Sequence, residues 1–241
     1  MNRKMLTLSF DDGTVQDRRF IELIDKYDLR CTFNLNSGLF GNKHEIIHEG
    51  IRVCHNEVDE SEVRSLYRNH EVAAHTLTHP NLCRISEEEV IRETENDVKK
   101  LSALTGKEIF GLAYPGGSYD ARTADILRTK TSVKYARTIN SHGTFALPED
   151  FLLWHPTCHQ NDPRLEELAK QFTEITEPQA DLLFYVWGHS FEFDKFESWE
   201  RFEDFCRIIS HHSDICYMTN GEVYNYITKK QNSKNTDQSE K

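Results

Sequence analysis

Two carboxylates stand side by side at Asp11 and Asp12, in Ser9-Phe10-Asp11-Asp12-Gly13, directly after an apolar run. Adjacent carboxylates can divide labour, one binding a metal while the other stays free as a general base. An Asp-rich turn that caps the next helix uses the same residues. Two imidazoles follow in His75-Thr76-Leu77-Thr78-His79-Pro80. Spaced by four, they fall on one side of a helical turn and can share an ion; His155 and His159 have the same spacing. His189 ends a strongly apolar stretch, Phe184-Tyr185-Val186-Trp187-Gly188-His189. An imidazole there can hand a proton to a leaving group or simply satisfy a backbone carbonyl. Leu112-Ala113-Tyr114-Pro115-Gly116-Gly117 turns sharply through proline and two glycines. Such a turn lets backbone N–H groups approach an oxyanion, and it is also an ordinary tight turn. A further pattern, His44-Glu45-Ile46-Ile47-His48, matches the His-Glu-x-x-His of zinc proteases. That chemistry needs a stable helix and a third ligand, and Gly41-Asn42 and Gly50 leave room for about two turns at most.

Elements must bring these residues together. Short apolar runs at residues 5–10, 31–35, 71–74, 109–113, 133–137, 151–154, 181–187 and 215–218 read as strands. Amphipathic segments at 15–27, 86–104, 121–130, 163–175, 199–209 and 221–227 read as helices. The helix at 86–104 carries the fullest signature, with Ser86 and Glu89 as a capping box and Gly106 as its stop. This alternation predicts an α/β fold with parallel strands, either an open doubly wound sheet or a closed barrel. Residues 36–70 break the alternation and read as an insertion. Each of the four main signals falls just after a predicted strand, so in a parallel barrel all four converge on one rim.

The composition narrows the function classes. The 241 residues carry a net charge of −11, from 29 basic and 40 acidic side chains, which disfavours nucleic acid as a partner. No stretch approaches the ~20 apolar residues of a membrane span. The six cysteines form no Cys-x-x-Cys pair and are expected as reduced, mostly buried thiols. No leader-like segment precedes the first strand, so the chain is expected to be cytoplasmic. Residues 1–228 are expected as one domain, and the polar segment 229–241 as a disordered tail.

With these motifs in this order, the chain resembles the polysaccharide deacetylases of carbohydrate esterase family four, the nodulation-protein-B homology domain, from about residue 5 to about residue 220. The resemblance implies a distorted, TIM-barrel-like (β/α) barrel of about seven to eight units holding a divalent metal, usually zinc, with cobalt, manganese or nickel as alternatives. It implies that Asp12, His75 and His79 are the metal ligands, Asp11 the general base and His189 the general acid. The backbone N–H of Gly116 would help to hold the oxyanion. Tyr114, Pro115, Trp154, His155, His159 and Trp187 are candidates for the substrate pocket. The implied activity removes an N-acetyl, or an O-acetyl, group from a sugar or oligosaccharide. Two positions depart from the pattern. The third motif often carries an arginine that orients the base, where this chain has Ala113, and the last motif often has aspartate after the histidine, where this chain has Ser190. Two other readings therefore stand beside the first. One is hydrolysis of a linear or cyclic C–N bond in a small metabolite, as in allantoinase-like relatives; the other is a metal-binding relative that has lost catalysis. The partner is an acetylated sugar or a small amide, and no sequence feature fixes an oligomeric state.

Overall fold

Met5, Thr7, Leu8, Ser9 and Phe10 are all fully inaccessible, the mark of a strand covered on both faces in a parallel sheet. They belong to β1 (Lys4–Asp12) of the computed structural model, which describes residues 2–48 and 50–239. The chain continues through α1 (Asp17–Asp25), β2 (Cys31–Leu35), β3 (Glu45–His48), β4 (Ile51–Cys54), α2 (Val63–Leu66) and β5 (Glu71–Ala74). There follow α3 (Glu87–Thr105), β6 (Gly111–Ala113), α4 (Ala121–Lys130), β7 (Tyr135–Arg137), β8 (Cys158–His159) and α5 (Leu165–Glu174). The last elements are β9 (Leu182–His189), α6 (Phe191–Lys195), α7 (Trp199–Ile209), β10 (Ile215–Tyr217) and α8 (Asn220–Ser239).

One eight-stranded parallel sheet runs in the order β7-β6-β5-β2-β1-β9-β8, with β10 paired to the start of β1. Residues 154–159 join its two ends. Trp154 N–H donates to Ala136 O and Thr138 N–H to Trp154 O, both at 3.0 Å, while Thr157 N–H donates to Tyr185 O at 2.8 Å. The sheet is thereby curled into a distorted (β/α) barrel, and the C-terminal ends of β1, β6, β7 and β9 share one rim. Beneath it, Phe10 packs on Phe20 with ring centroids 4.0 Å apart, and Phe193 stacks on both at 5.8 and 5.5 Å. This aromatic cluster anchors α1 and α6 under the rim.

Several segments differ from the sequence expectation. Residues 151–153 form a 3₁₀ turn rather than a strand, because the Asp150 carboxylate accepts the Leu152 N–H and offers a local alternative to sheet pairing. The insertion at 36–70 contains an antiparallel hairpin, β3–β4, followed by short helical turns. The segment expected as a disordered tail continues α8 as far as Ser239; residues 240 and 241 lie outside the described residues. Val223 and Ile227 bury the start of that helix, and propagation beyond an existing nucleus costs little. The six cysteines are free; Cys31, Cys158 and Cys206 are buried, whereas Cys54 is exposed. Among the described residues no helix is long and apolar enough to cross a membrane.

Candidate active site and metal centre

β1 delivers Asp11 and Asp12 to the rim, and the chain must turn at once. Gly13 permits this: it has φ 67°, and a Cβ there would lie 2.7 Å from Leu35 Cδ2. Asp12 itself takes φ 75°, Thr76 φ 66° and His79 φ 58°. Left-handed backbone at residues other than glycine costs on the order of 1–3 kcal/mol each, so it persists only where the surroundings enforce it.

The histidine pair is enforced in a different way from the predicted helical turn. Residues 75–79 form an irregular loop, because outside contacts hold their backbone groups. Asn36 Nδ2 donates to the carbonyls of His75 and Thr76. The buried Asp97 accepts His75 N–H at 3.1 Å, while Leu77 N–H donates to Glu93 O at 3.0 Å. The loop is thus tied to α3, and the two rings lie 4.8 Å apart.

His75 Nδ1 lies 2.8 Å from Ala113 O, which fixes the proton on that nitrogen and leaves Nε2 with its lone pair. Nε2 of His75 lies 3.5 Å, and Nε2 of His79 3.8 Å, from Asp12 Oδ1. The three donor atoms all lie within 4.8 Å of one another. Burial pushes the His75 imidazole down to about 4, so it is neutral at pH 7, as a ligand must be. Two imidazoles and a carboxylate on an open cavity suit a divalent ion of the zinc class with positions left for water and substrate.

Asp11 is 3 % exposed, and each of its oxygens accepts one hydrogen bond. Asn34 Nδ2 donates to Oδ1 at 2.8 Å and Arg137 Nη2 to Oδ2. Burial raises its carboxyl pKa, but the Arg137 guanidinium, with His75 and His189, outweighs that and holds it below the usual range. Arg137 is fully buried, with its guanidinium 4.7 Å over the Trp187 ring. It stands directly opposite Ala113 in the β6–β7 register. The cation missing at position 113 is therefore supplied from the neighbouring strand.

His189 ends β9 with Nε2 3.8 Å from Asp11 Oδ2 and Nδ1 3.2 Å from Glu192 Oε1. Glu192 is in turn held by Asn161 Nδ2 at 2.7 Å, three residues along from a histidine whose usual neighbour is replaced by Ser190. Burial lowers the His189 pKa, but the Glu192 hydrogen bond and the Asp12 and Asp11 charges raise it to about 9. The imidazole therefore carries a proton at neutral pH.

A cavity of about 740 Å³ opens over these groups. It is lined by Asp11, Asp12, His79, Gly116, His159, Trp187, His189 and Glu192, and by Leu39, Asn42, His44, Ile46, His55 and Glu57 from the insertion. Four pocket candidates lie elsewhere. Tyr114 is buried, with its hydroxyl donating to Leu152 O at 2.9 Å, and Pro115 is buried beside it. Trp154 packs edge-on against Tyr135 and Tyr185 in a core cluster. His155 faces a separate cleft, its Nδ1 against Thr138 Oγ1. In each case a core contact or a different loop takes the side chain away from the rim. The His44-to-His48 pattern runs into the extended strand β3 (Glu45–His48), where positions four apart are roughly 13 Å apart along the chain and cannot form the protease site.

Arg137, Asn34, Glu192, His55 and Glu57 escaped the sequence reading. Arg137 was open to the same rule that found the others, since it ends a predicted strand. Asn34 lies inside a predicted strand, and His55 and Glu57 lie in the insertion, where no strand-end rule applies.

A profile of the family described as polysaccharide deacetylase matches residues 1–134. Among solved structures, the chain is similar to the Xyl-CE4 domain of a multidomain xylanase from the hindgut metagenome of Trinervitermes trinervoides. That match has 13 % identity, covers 94 % of this chain and 92 % of the other, and has a TM-score of 0.58. A polysaccharide deacetylase from Bacillus cereus matches at 20 % identity over 61 % of this chain and 44 % of the other, with TM-score 0.50. A CE4 family pseudoenzyme from Bacillus anthracis matches at 18 % identity over 86 % of this chain and 61 % of the other, with TM-score 0.53. At these identities the structures establish the fold alone. The chain spans about half the length of several deacetylases that it matches. No curated protein matches it significantly.

Proposed function

The chain belongs to the polysaccharide deacetylase family, and from that premise we propose that it is a metal-dependent hydrolase that removes an acetyl group from a sugar or short oligosaccharide. One observation carries the reading: the Asp11 carboxylate, fixed by Asn34 and Arg137, lies between the Asp12–His75–His79 cluster and His189. Asp12, His75 and His79 would hold the ion, zinc being the best fit to the donors. When bound, it supplies Lewis acidity toward the substrate carbonyl and toward water.

The chain's own residues do the rest. Asp11 takes the proton of the attacking water as general base. Arg137 and Asn34 keep that carboxylate ionised and aimed. The Gly116 turn, with φ 57° and facing the cavity, offers its backbone N–H to the developing oxyanion. His189 gives its Nε2 proton to the departing amine, or alcohol for an O-acetyl group, while Glu192 holds Nδ1. Leu39, Ile46, Ile139 and Phe191 supply apolar surface for the acetyl methyl and the sugar faces.

The insertion walls the cavity on one side, which favours a small or short substrate over a polymer lying in an open groove. The same wall favours a second reading, hydrolysis of an amide or cyclic C–N bond in a small metabolite. Both are tested by one panel: N-acetylglucosamine and its oligomers of increasing length, O-acetylated sugars, ureides and cyclic amides, with Zn²⁺ or Co²⁺ added. The expected result is acetate release that is fastest on the shorter acetylated sugars. Turnover of ureides or cyclic amides with no acetate release selects the second reading. Inertness on the whole panel with a full complement of metal selects a relative that binds metal without catalysis.

A further inference from the structure

The wall of the cavity carries a second cluster of metal-binding groups that the hydrolysis above does not use. His44 immediately precedes β3 and His55 immediately follows β4. The antiparallel register pairs Glu45 with Cys54, so His44 and His55 are the next cross-strand neighbours at the base of the hairpin. Their backbones are joined there, His55 N–H donating to His44 O at 2.9 Å, and their rings lie 5.1 Å apart. Glu57, two residues on, points to the same side. His55 Nδ1 lies 3.3 Å from Glu57 Oε1 and His44 Nδ1 3.6 Å from Glu57 Oε2. One nitrogen from each histidine and one carboxylate oxygen lie within 4.8 Å of one another.

This cluster has unmet valence. Glu57 is 4 % exposed, yet its Oε2 has no hydrogen-bond partner among the described residues, and neither has His55 Nδ1. His55 Nε2 lies 3.1 Å from Asp12 Oδ2 and donates there. Its other ring nitrogen, Nδ1, is thereby held facing the Glu57 carboxylate. His55 Nδ1 and the Glu57 carboxylate thus meet in the cavity wall, and His44 Nδ1 approaches the same carboxylate from the more exposed side. A proton between His55 and Glu57 ties two of these groups; a single cation among them ties all three.

We propose that His44, His55 and Glu57 form a second site for a zinc-class divalent ion, joined to the first through Asp12. Two imidazoles and a carboxylate select Zn²⁺ or Co²⁺ over Mg²⁺ or Ca²⁺, which prefer oxygen donors. The hairpin base is fastened to the Asp12 loop, Val15 N–H donating to Asn56 O at 2.8 Å and Val58 N–H to Gly13 O at 2.9 Å. The two sites therefore hold a fixed relation. Asp12 offers Oδ1 to the first ion and uses Oδ2 to orient a ligand of the second, so filling one site alters affinity at the other. The second ion would add positive charge to the cavity wall, where an acetylated sugar bearing an anionic substituent would bind. The count of two and the coupling through Asp12 rest on the ligand set assigned to the first ion; the second site itself does not.

The test strips the 241-residue chain with a chelator and titrates it with Zn²⁺, and separately with Co²⁺, by calorimetry and by metal analysis after gel filtration. The wild-type chain is expected to take up two ions, His44→Ala and Glu57→Gln one, and His75→Ala to keep the ion of the second site. Circular dichroism identifies any variant that fails to fold; His44 is half-exposed, so His44→Ala decides if Glu57→Gln does not fold. A single ion in the wild type, retained in His44→Ala and lost in His75→Ala, overturns the second site and leaves the proposed hydrolase standing. A single ion lost in His44→Ala and retained in His75→Ala keeps this site and overturns the ligand set of the first.

Discussion

Replacing Asp11 with asparagine is expected to lower kcat by about 10²–10⁴-fold, the usual contribution of a general base, with no change in the metal held by Asp12, His75 and His79. Asparagine keeps the size of the side chain and one oxygen, but cannot take a proton from water. Asn34 and Arg137 donate to both carboxylate oxygens, so the new amide also turns an N–H toward a donor and leaves Arg137 without its counter-charge; folded fraction is therefore measured beside kcat. Metal content measured beside kcat on the same preparation separates the two roles of the Asp11-Asp12 pair. An unchanged kcat would remove Asp11 from the chemistry. A lost ion would make Asp11 a ligand.

Arg137→Met is expected to destabilise the fold by about 3–5 kcal/mol, the range for removing one partner of a buried ion pair. Arg137 is fully buried and Asp11 is 3 % exposed, so little solvent is available to compensate. The pH dependence has a definite sign. With Arg137 in place, the Asp11 pKa lies below its unfolded value, so the pair contributes stability that is present above about pH 4 and is lost as pH falls through the lower folded pKa. Without the guanidinium, burial is opposed by the histidines and the Asn34 hydrogen bond alone. The Asp11 pKa rises, and the acid limb of the kcat/KM profile moves to higher pH. Denaturant unfolding and a pH–rate profile measure the two effects. Arg137→Lys restores the charge without the planar fork and is expected to recover part of both. A variant of wild-type stability with an unshifted acid limb would show that Arg137 does not position the base.

The framework was legible in the sequence because its signals are local. Capping at Ser86, apolar runs such as residues 5–10, and residue types at strand ends identify a parallel α/β fold and bring Asp11, Asp12, His75, His79 and His189 to one rim. What escaped depends on register and on packing between distant segments. Ala113 looks like a lost arginine until the β6–β7 register places Arg137 beside it. His75 and His79 have helical spacing, yet Asn36, Asp97 and Glu93, from other segments, shape their loop. Trp154 was a reasonable pocket residue by type, but the 3₁₀ turn before it sends the ring into the aromatic core. His44 was singled out for a helix that the flanking glycines disfavour. Its actual neighbours, His55 and Glu57, come from across a hairpin that the apolar periodicity did not reveal.

The most direct test of the proposed hydrolysis is acetate release from short N-acetylglucosamine oligomers by chelator-stripped protein, before and after Zn²⁺ or Co²⁺ is restored. Release is expected to vanish on stripping and to return with the ion in the wild type, but not in His75→Ala or Asp11→Asn. Release that persists without metal, or that is equal in wild type and Asp11→Asn, would contradict it.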